Sequence, residues 1–93
     1  MAFLPSIRAT TPALRPSDTG ADAMALNQSG SDKYAKGDLD GAIADYNRAI
    51  QINPQLAKAY YNRGLAKKAV GDMQGAIGDF SQAHALDPKF TIP

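Results

Sequence analysis

Between Leu39 and Ile52 the apolar residues Ala42, Ile43, Tyr46, Ala49 and Ile50 recur at spacings of one, three and four. Such spacings gather side chains onto one stripe of an α-helix. Thirty-four residues later the stripe returns as Ala76, Ile77, Phe80 and Ala83. The pattern predicts helices over Leu39–Ile52 and Met73–Leu86, each preceded by a further helical stretch, Ala23–Lys36 and Ala57–Val70. Gly37-Asp38 and Gly71-Asp72 separate the members of each pair. Glycine suits the left-handed residue that ends a helix, and aspartate caps the next helix by accepting a backbone N–H at its positive end. Asn53-Pro54 and Asp87-Pro88 end the second helix of each pair, because proline lacks the donor and clashes with the preceding turn.

Sliding the chain on itself by 34 residues aligns Ala23–Leu56 with Ala57–Phe90 without a gap. Thirteen positions are identical, among them Gly30/Gly64, Lys33/Lys67 and Asp45/Asp79. Leu39/Met73, Tyr46/Phe80, Ile52/Leu86 and Leu56/Phe90 are conservative exchanges. A period in this range signals stacked supersecondary units, each burying its stripe only against a neighbour.

These residues resemble the tetratricopeptide repeat family. Its pattern asks for a bulky residue at repeat position 4, Gly at 8, an aromatic near 11, Ala at 20, an aromatic at 24, Ala at 27 and Pro at 32. The first window supplies Leu26, Gly30, Lys33, Ala42, Tyr46, Ala49 and Pro54; the second supplies Tyr60, Gly64, Lys67, Ala76, Phe80, Ala83 and Pro88. The aromatic near 11 is missing from both, with Tyr34 one place later in the first. Position 7, usually aliphatic, holds Ser29 and Arg63. The resemblance implies an all-α fold of two tandem helix-turn-helix repeats. Four antiparallel helices would form a right-handed superhelical stack, with repeat 1 at 23–56 and repeat 2 at 57–90 of a domain spanning 21–93. Ser29-Gly30-Ser31-Asp32 is poor helix material, with Gly about 1 kcal/mol worse than Ala, so the first helix is expected to be the weakest and to fray. Nothing after Pro88 is long enough to cap the stack, and α-helical surface over 73–86 is expected to lie open.

The composition fits one small domain of 93 residues, 44% hydrophobic and 20% charged. A net charge of +1 points to neither nucleic acid nor an anionic membrane, and no apolar run reaches the ~18 residues of a membrane span. The absence of cysteine removes disulfides and thiolate chemistry and suits a reducing, cytoplasmic setting. Residues 1–20 contain Pro5, Pro12 and Pro16 and no apolar period, and read as a flexible leader or linker. Arg8, Arg15 and several Ser and Thr leave an organelle transit peptide as the alternative.

The resemblance implies a groove lined by the first helices, binding a peptide or protein segment. Repeat positions 2, 5, 6, 9, 12 and 13 share one helical face. They are Met24, Asn27, Gln28, Ser31, Tyr34 and Ala35, then Lys58, Tyr61, Asn62, Leu65, Lys68 and Ala69. Tyr61 offers area with a polar tip, Asn62 both donates and accepts, and Lys58 and Lys68 suit a carboxylate. A carboxylate clamp fits less well: Asn62 matches it, but Asn27 and Ser31 stand where Lys and Asn are needed. The competing reading of the face is a plain solvated surface.

The alternative function is self-assembly through the uncapped last helix, with His84, Phe90 and Ile92 at the interface and a homodimer as product. Phe3, Leu4 and Ile7 folding back, membership of a longer repeat array, or a larger partner are other ways to cover that helix. His84 is the chain's one histidine and reads as a half-buried structural residue, not a metal ligand. Lys58, Arg63, Lys67 and Lys68 are read as pointing in four directions, which is no nucleic-acid footprint. Ser29, Ser31 and Ser81 have no histidine spaced to activate them, and the glycines follow no strand as a phosphate loop requires. The expectation is a non-catalytic chain without cofactor or metal.

Overall fold

A computed structural model of the chain describes residues 20–91. Four helices follow one another: α1 (Gly20–Ala35), α2 (Leu39–Ile52), α3 (Ala57–Ala69) and α4 (Met73–Leu86). Short connections make successive helices antiparallel neighbours. α1 packs on α2, α3 on α4, and α2 joins the two pairs through α3. α1 begins at Gly20, earlier than the apolar pattern suggested, while α2 and α4 have the expected bounds.

The two Gly-Asp turns are built alike. Gly37 and Gly71 have φ of 88° and 94°, values that cost glycine nothing and other residues a steric clash. Gly37 N–H donates to the Tyr34 carbonyl and Asp38 N–H to that of Lys33; Gly71 and Asp72 repeat the pair with Lys68 and Lys67. These are the crossed bonds of a Schellman ending. Asp38 and Asp72 then accept from Gly41 and Gly75 N–H at 3.0 and 2.9 Å. Two residues thus close one helix and open the next. Asn53 and Asp87 close the second helices, each accepting a backbone N–H two residues on, from Gln55 and Lys89.

The core consists of small residues around two rings. Ala42, Ala49, Ala59, Ala66, Ala76 and Ala83 are all but sealed from solvent, as are Tyr46 and Phe80. Alanines let the helices approach, and each ring fills the gap beside a glycine. A Cβ on Gly30 would stand 2.6 Å from the Tyr46 ring, and one on Gly64 2.7 Å from the Phe80 ring.

The expected fraying at Ser29–Asp32 is not found, because α1 runs unbroken through it. Gly30 is the seat of the Tyr46 ring. Ser29 Oγ donates to Asp45 Oδ2 at 2.7 Å, and the Ser31 and Tyr46 hydroxyls share a bond of 3.1 Å. Low helix propensity is offset by tertiary contacts that only small residues permit. The chain after α4 is also less idle than its length suggested. Phe90 lies on Tyr61 with ring centroids 5.3 Å apart, so the tail covers part of the last pair.

Candidate functional site

Lys33/Lys67 and Asp45/Asp79, identical in both repeats, meet across each helix pair. Asp45 is buried and lies 3.1 Å from Lys33 Nζ, with Arg48 at 3.9 Å. Burial alone would raise its pKa, but the Ser29 hydroxyl, Lys33 and Arg48 outweigh it and hold the carboxyl below its usual value. Asp79 receives Arg63 through two bonds, Nε to Oδ2 at 2.8 Å and Nη2 to Oδ1 at 2.7 Å, with Lys67 Nζ at 3.3 Å. The hydrogen bonds to Asp79 raise the guanidinium pKa of Arg63 above its ordinary value. Arg63 Nη1 also donates to Asn47 Oδ1 of α2 at 2.8 Å, so one side chain of α3 ties α2 to α4.

This network explains the departures at repeat positions 7 and 11. Ser29 and Arg63 stand where an aliphatic residue is usual, and Lys33 and Lys67 where an aromatic is usual. All four serve the buried aspartate of their own repeat. Arg63 and Lys67 therefore do not point apart, as the reading of the four basic residues held; four residues apart on α3, they converge on Asp79. The signal was available as two identities, but their partnership depends on how the helices cross.

The face read as a groove divides in two. Asn62 Nδ2 donates to Asn27 Oδ1 at 3.1 Å and lies 3.5 Å from Ser31 Oγ. Asn27 is buried, so these three residues join α1 to α3. Tyr61 is held between Phe80 and Phe90, at 5.4 and 5.3 Å. Gln28 donates to Asp32 at 3.1 Å in solvent. Left open on this face are Met24, Tyr34, Ala35, Lys58, Lys68 and Ala69, with Leu65 half-buried. A shallow cleft of about 300 Å³ at one end is lined by Met24, Leu56, Leu86 and Phe90 and by the charged Lys58, Asp87 and Lys89.

A family model described as TPR repeat matches residues 30–71, and one described as Tetratricopeptide repeat matches 57–90. The chain belongs to the tetratricopeptide repeat family. The second match coincides with the second window of the internal alignment, and together the two cover α2, α3, α4 and the later half of α1. No curated protein matches the chain. Tetratricopeptide repeats are in general protein–protein interaction modules, and the family is typically non-catalytic.

The remaining candidates of this tetratricopeptide repeat chain lie at its far end. His84 is exposed, not half-buried, and its Nδ1 is 3.1 Å from the Phe90 carbonyl oxygen. It takes the place of Ile50, which is half-buried, and no fifth helix covers it among the described residues. A carbonyl only accepts, so Nδ1 carries the hydrogen in that bond. Ile92, Phe3, Leu4, Ile7 and all of 1–19 fall outside the described residues. Among the described residues no group of His, Cys, Asp or Glu is placed to hold a metal ion, and no helix is long and apolar enough to cross a membrane.

Proposed function

We propose that the chain binds an extended peptide or protein segment on the α1–α3 face, using Met24, Tyr34, Lys58, Leu65 and Lys68. The observation that carries the reading is that Met24 and Lys58 of this face line a cleft of about 300 Å³ together with Leu56, Leu86 and Phe90. An apolar wall takes a side chain, and a few placed polar groups orient it. Lys58 has no carboxylate partner among the described residues, so it is free to receive one from a ligand. Asn27, Ser31, Tyr61 and Asn62 support the floor of this face through their own contacts.

Tyr61 and Asn62 are therefore poor positions for testing recognition, since changing them disturbs packing. Lys58 and Lys68 are exposed and serve better. A random peptide array is probed with the full chain and with the Lys58→Glu/Lys68→Glu variant. The expected outcome is a set of peptides pairing an apolar residue with a carboxylate, bound by the parent and lost by the variant, with unchanged circular dichroism. Identical binding patterns for both proteins would rule the groove reading out.

A further inference from the structure

The cleft of about 300 Å³ lies where the described chain begins. Residues 1–19 join α1 at Gly20, and Met24, about 6 Å further along the axis, lines the cleft. A helical side chain leans towards the N-terminus of its own helix, so Met24 reaches back towards the point where the preceding segment enters. The opposite side of the cleft is held in place. Phe90 lies on Tyr61, and its carbonyl oxygen is 3.1 Å from His84 Nδ1.

The lining defines what fits. Met24 is exposed and Leu56, Leu86 and Phe90 are half-buried, so an apolar side chain entering there removes further apolar surface from water. Lys89 is engaged with Asp87 at 3.8 Å. That leaves Lys58 as the cation of the cleft without a carboxylate among the described residues. A fitting occupant therefore carries an apolar side chain and an acid a few residues away. Residues 12–18 carry both, as Leu14 and Asp18. In an extended segment residues four apart point to the same side and neighbours to opposite sides. Leu14 turned into the cleft thus brings Asp18 to the Lys58 side and leaves Arg15 in water. Six extended residues span up to about 20 Å, enough for Leu14 to reach Met24 from Gly20. Phe3, Leu4 and Ile7 lie further back and have no acid beside them.

Tethering selects this occupant over a free one. A segment joined to its site by a few residues meets it at an effective concentration on the order of mM, so even weak docking is populated before an outside peptide arrives. The apparent affinity of that peptide falls with the fraction of clefts left open.

We propose that residues 12–18 occupy the chain's own cleft, Leu14 against Met24, Leu56, Leu86 and Phe90 and Asp18 at Lys58, and that a partner segment must displace them. The displacement rests on the groove reading above; the docking is measured without any partner.

The chain has no cysteine, so Ala13→Cys carries a nitroxide label at one place. In the full chain the label is expected to broaden the amide signals of Leu56, Ala57 and Phe90 strongly and those of Gly37 and Gly71 far less, equally over a tenfold concentration range. Adding Leu14→Asp is expected to remove most of that broadening. Residue 14 lies outside the four helices, so the change leaves their packing alone. On the peptide array the Leu14→Asp chain is expected to hold the parent's peptides several-fold more strongly. Broadening that Leu14→Asp leaves unchanged is what a bare tether gives and overturns the docking, as does broadening that grows with concentration. Equal peptide binding by the two chains overturns the displacement. Peptides captured without Leu14-dependent broadening leave the groove reading standing and sink this one. Leu14-dependent broadening with no peptide held by either chain sinks the groove reading and supports the docking.

Discussion

Asp45 and Asp79 show how a residue's place in the repeat becomes its chemistry. Each is buried at the same repeat position, and each draws cations from the helix before it. A buried carboxylate is tolerable only when its bonds and paired charges replace the lost water. The supports differ, with Asp79 gripped from two sides of Arg63 and Asp45 bonded to a hydroxyl and a half-exposed lysine. Since Asp45 has a lowered folded pKa, its ionisation stabilises the fold in full above the unfolded value near pH 4 and is lost as pH falls through the folded value. Asp45→Asn is therefore expected to cost about 1–2 kcal/mol at neutral pH. In urea unfolding below about pH 4 the gap from the parent should narrow. A gap independent of pH would show that the charge of Asp45 contributes nothing.

Among the elements, α1 is the instructive one. By propensity alone its Ser-Gly-Ser-Asp run is a weak point, and Gly→Ala in a helix interior normally gains about 1 kcal/mol. Here the glycine touches a ring. Gly30→Ala and Gly64→Ala are expected to destabilise by about 1–2 kcal/mol, since overpacking a close contact costs about 1–3 kcal/mol and outweighs the propensity gain. Gly78→Ala, with open space about it, is expected to stabilise α4 by up to about 1 kcal/mol. Thermal unfolding of the three variants checks this, and the same sign at all three sites would contradict the account. The turns need less from their surroundings. Each Gly-Asp pair makes its bonds within five residues, which is why both caps and both left-handed glycines were legible in the sequence.

At the scale of the whole stack of described helices, the governing fact is that the outer helices α1 and α4 differ. The α1 end exposes Asp32 and Lys36; the α4 end exposes Met73 and Ile77, partly closed by a tail. Residues 87–90 repeat the turn made by 53–56: Phe90 N–H donates to the Asp87 carbonyl as Leu56 N–H does to that of Asn53. The Leu56/Phe90 correspondence thus carries over into three dimensions and sets Phe90 on Tyr61. Phe90→Ala is expected to lower stability by about 1–2 kcal/mol in thermal unfolding, from the lost ring pair and the apolar area behind it. An unchanged midpoint would mean that the tail adds no cover.

What the sequence determined by itself was local or periodic. Helix bounds, caps, stops and the pairing of helices follow from contacts within a few residues and from a 34-residue rhythm. The tertiary structure decided which polar residues are consumed inside and which remain for a partner. Lys33 and Lys67 read as departures from a pattern until the helix crossing set them against Asp45 and Asp79. Asn27 and Asn62 shared a nominal binding face until α1 and α3 came close enough to bond them to each other. Such pairings join residues 12 to 35 positions apart. Their formation depends on the angle and separation of packed helices, which small residues such as Gly30 and Gly64 set and which no single helix encodes.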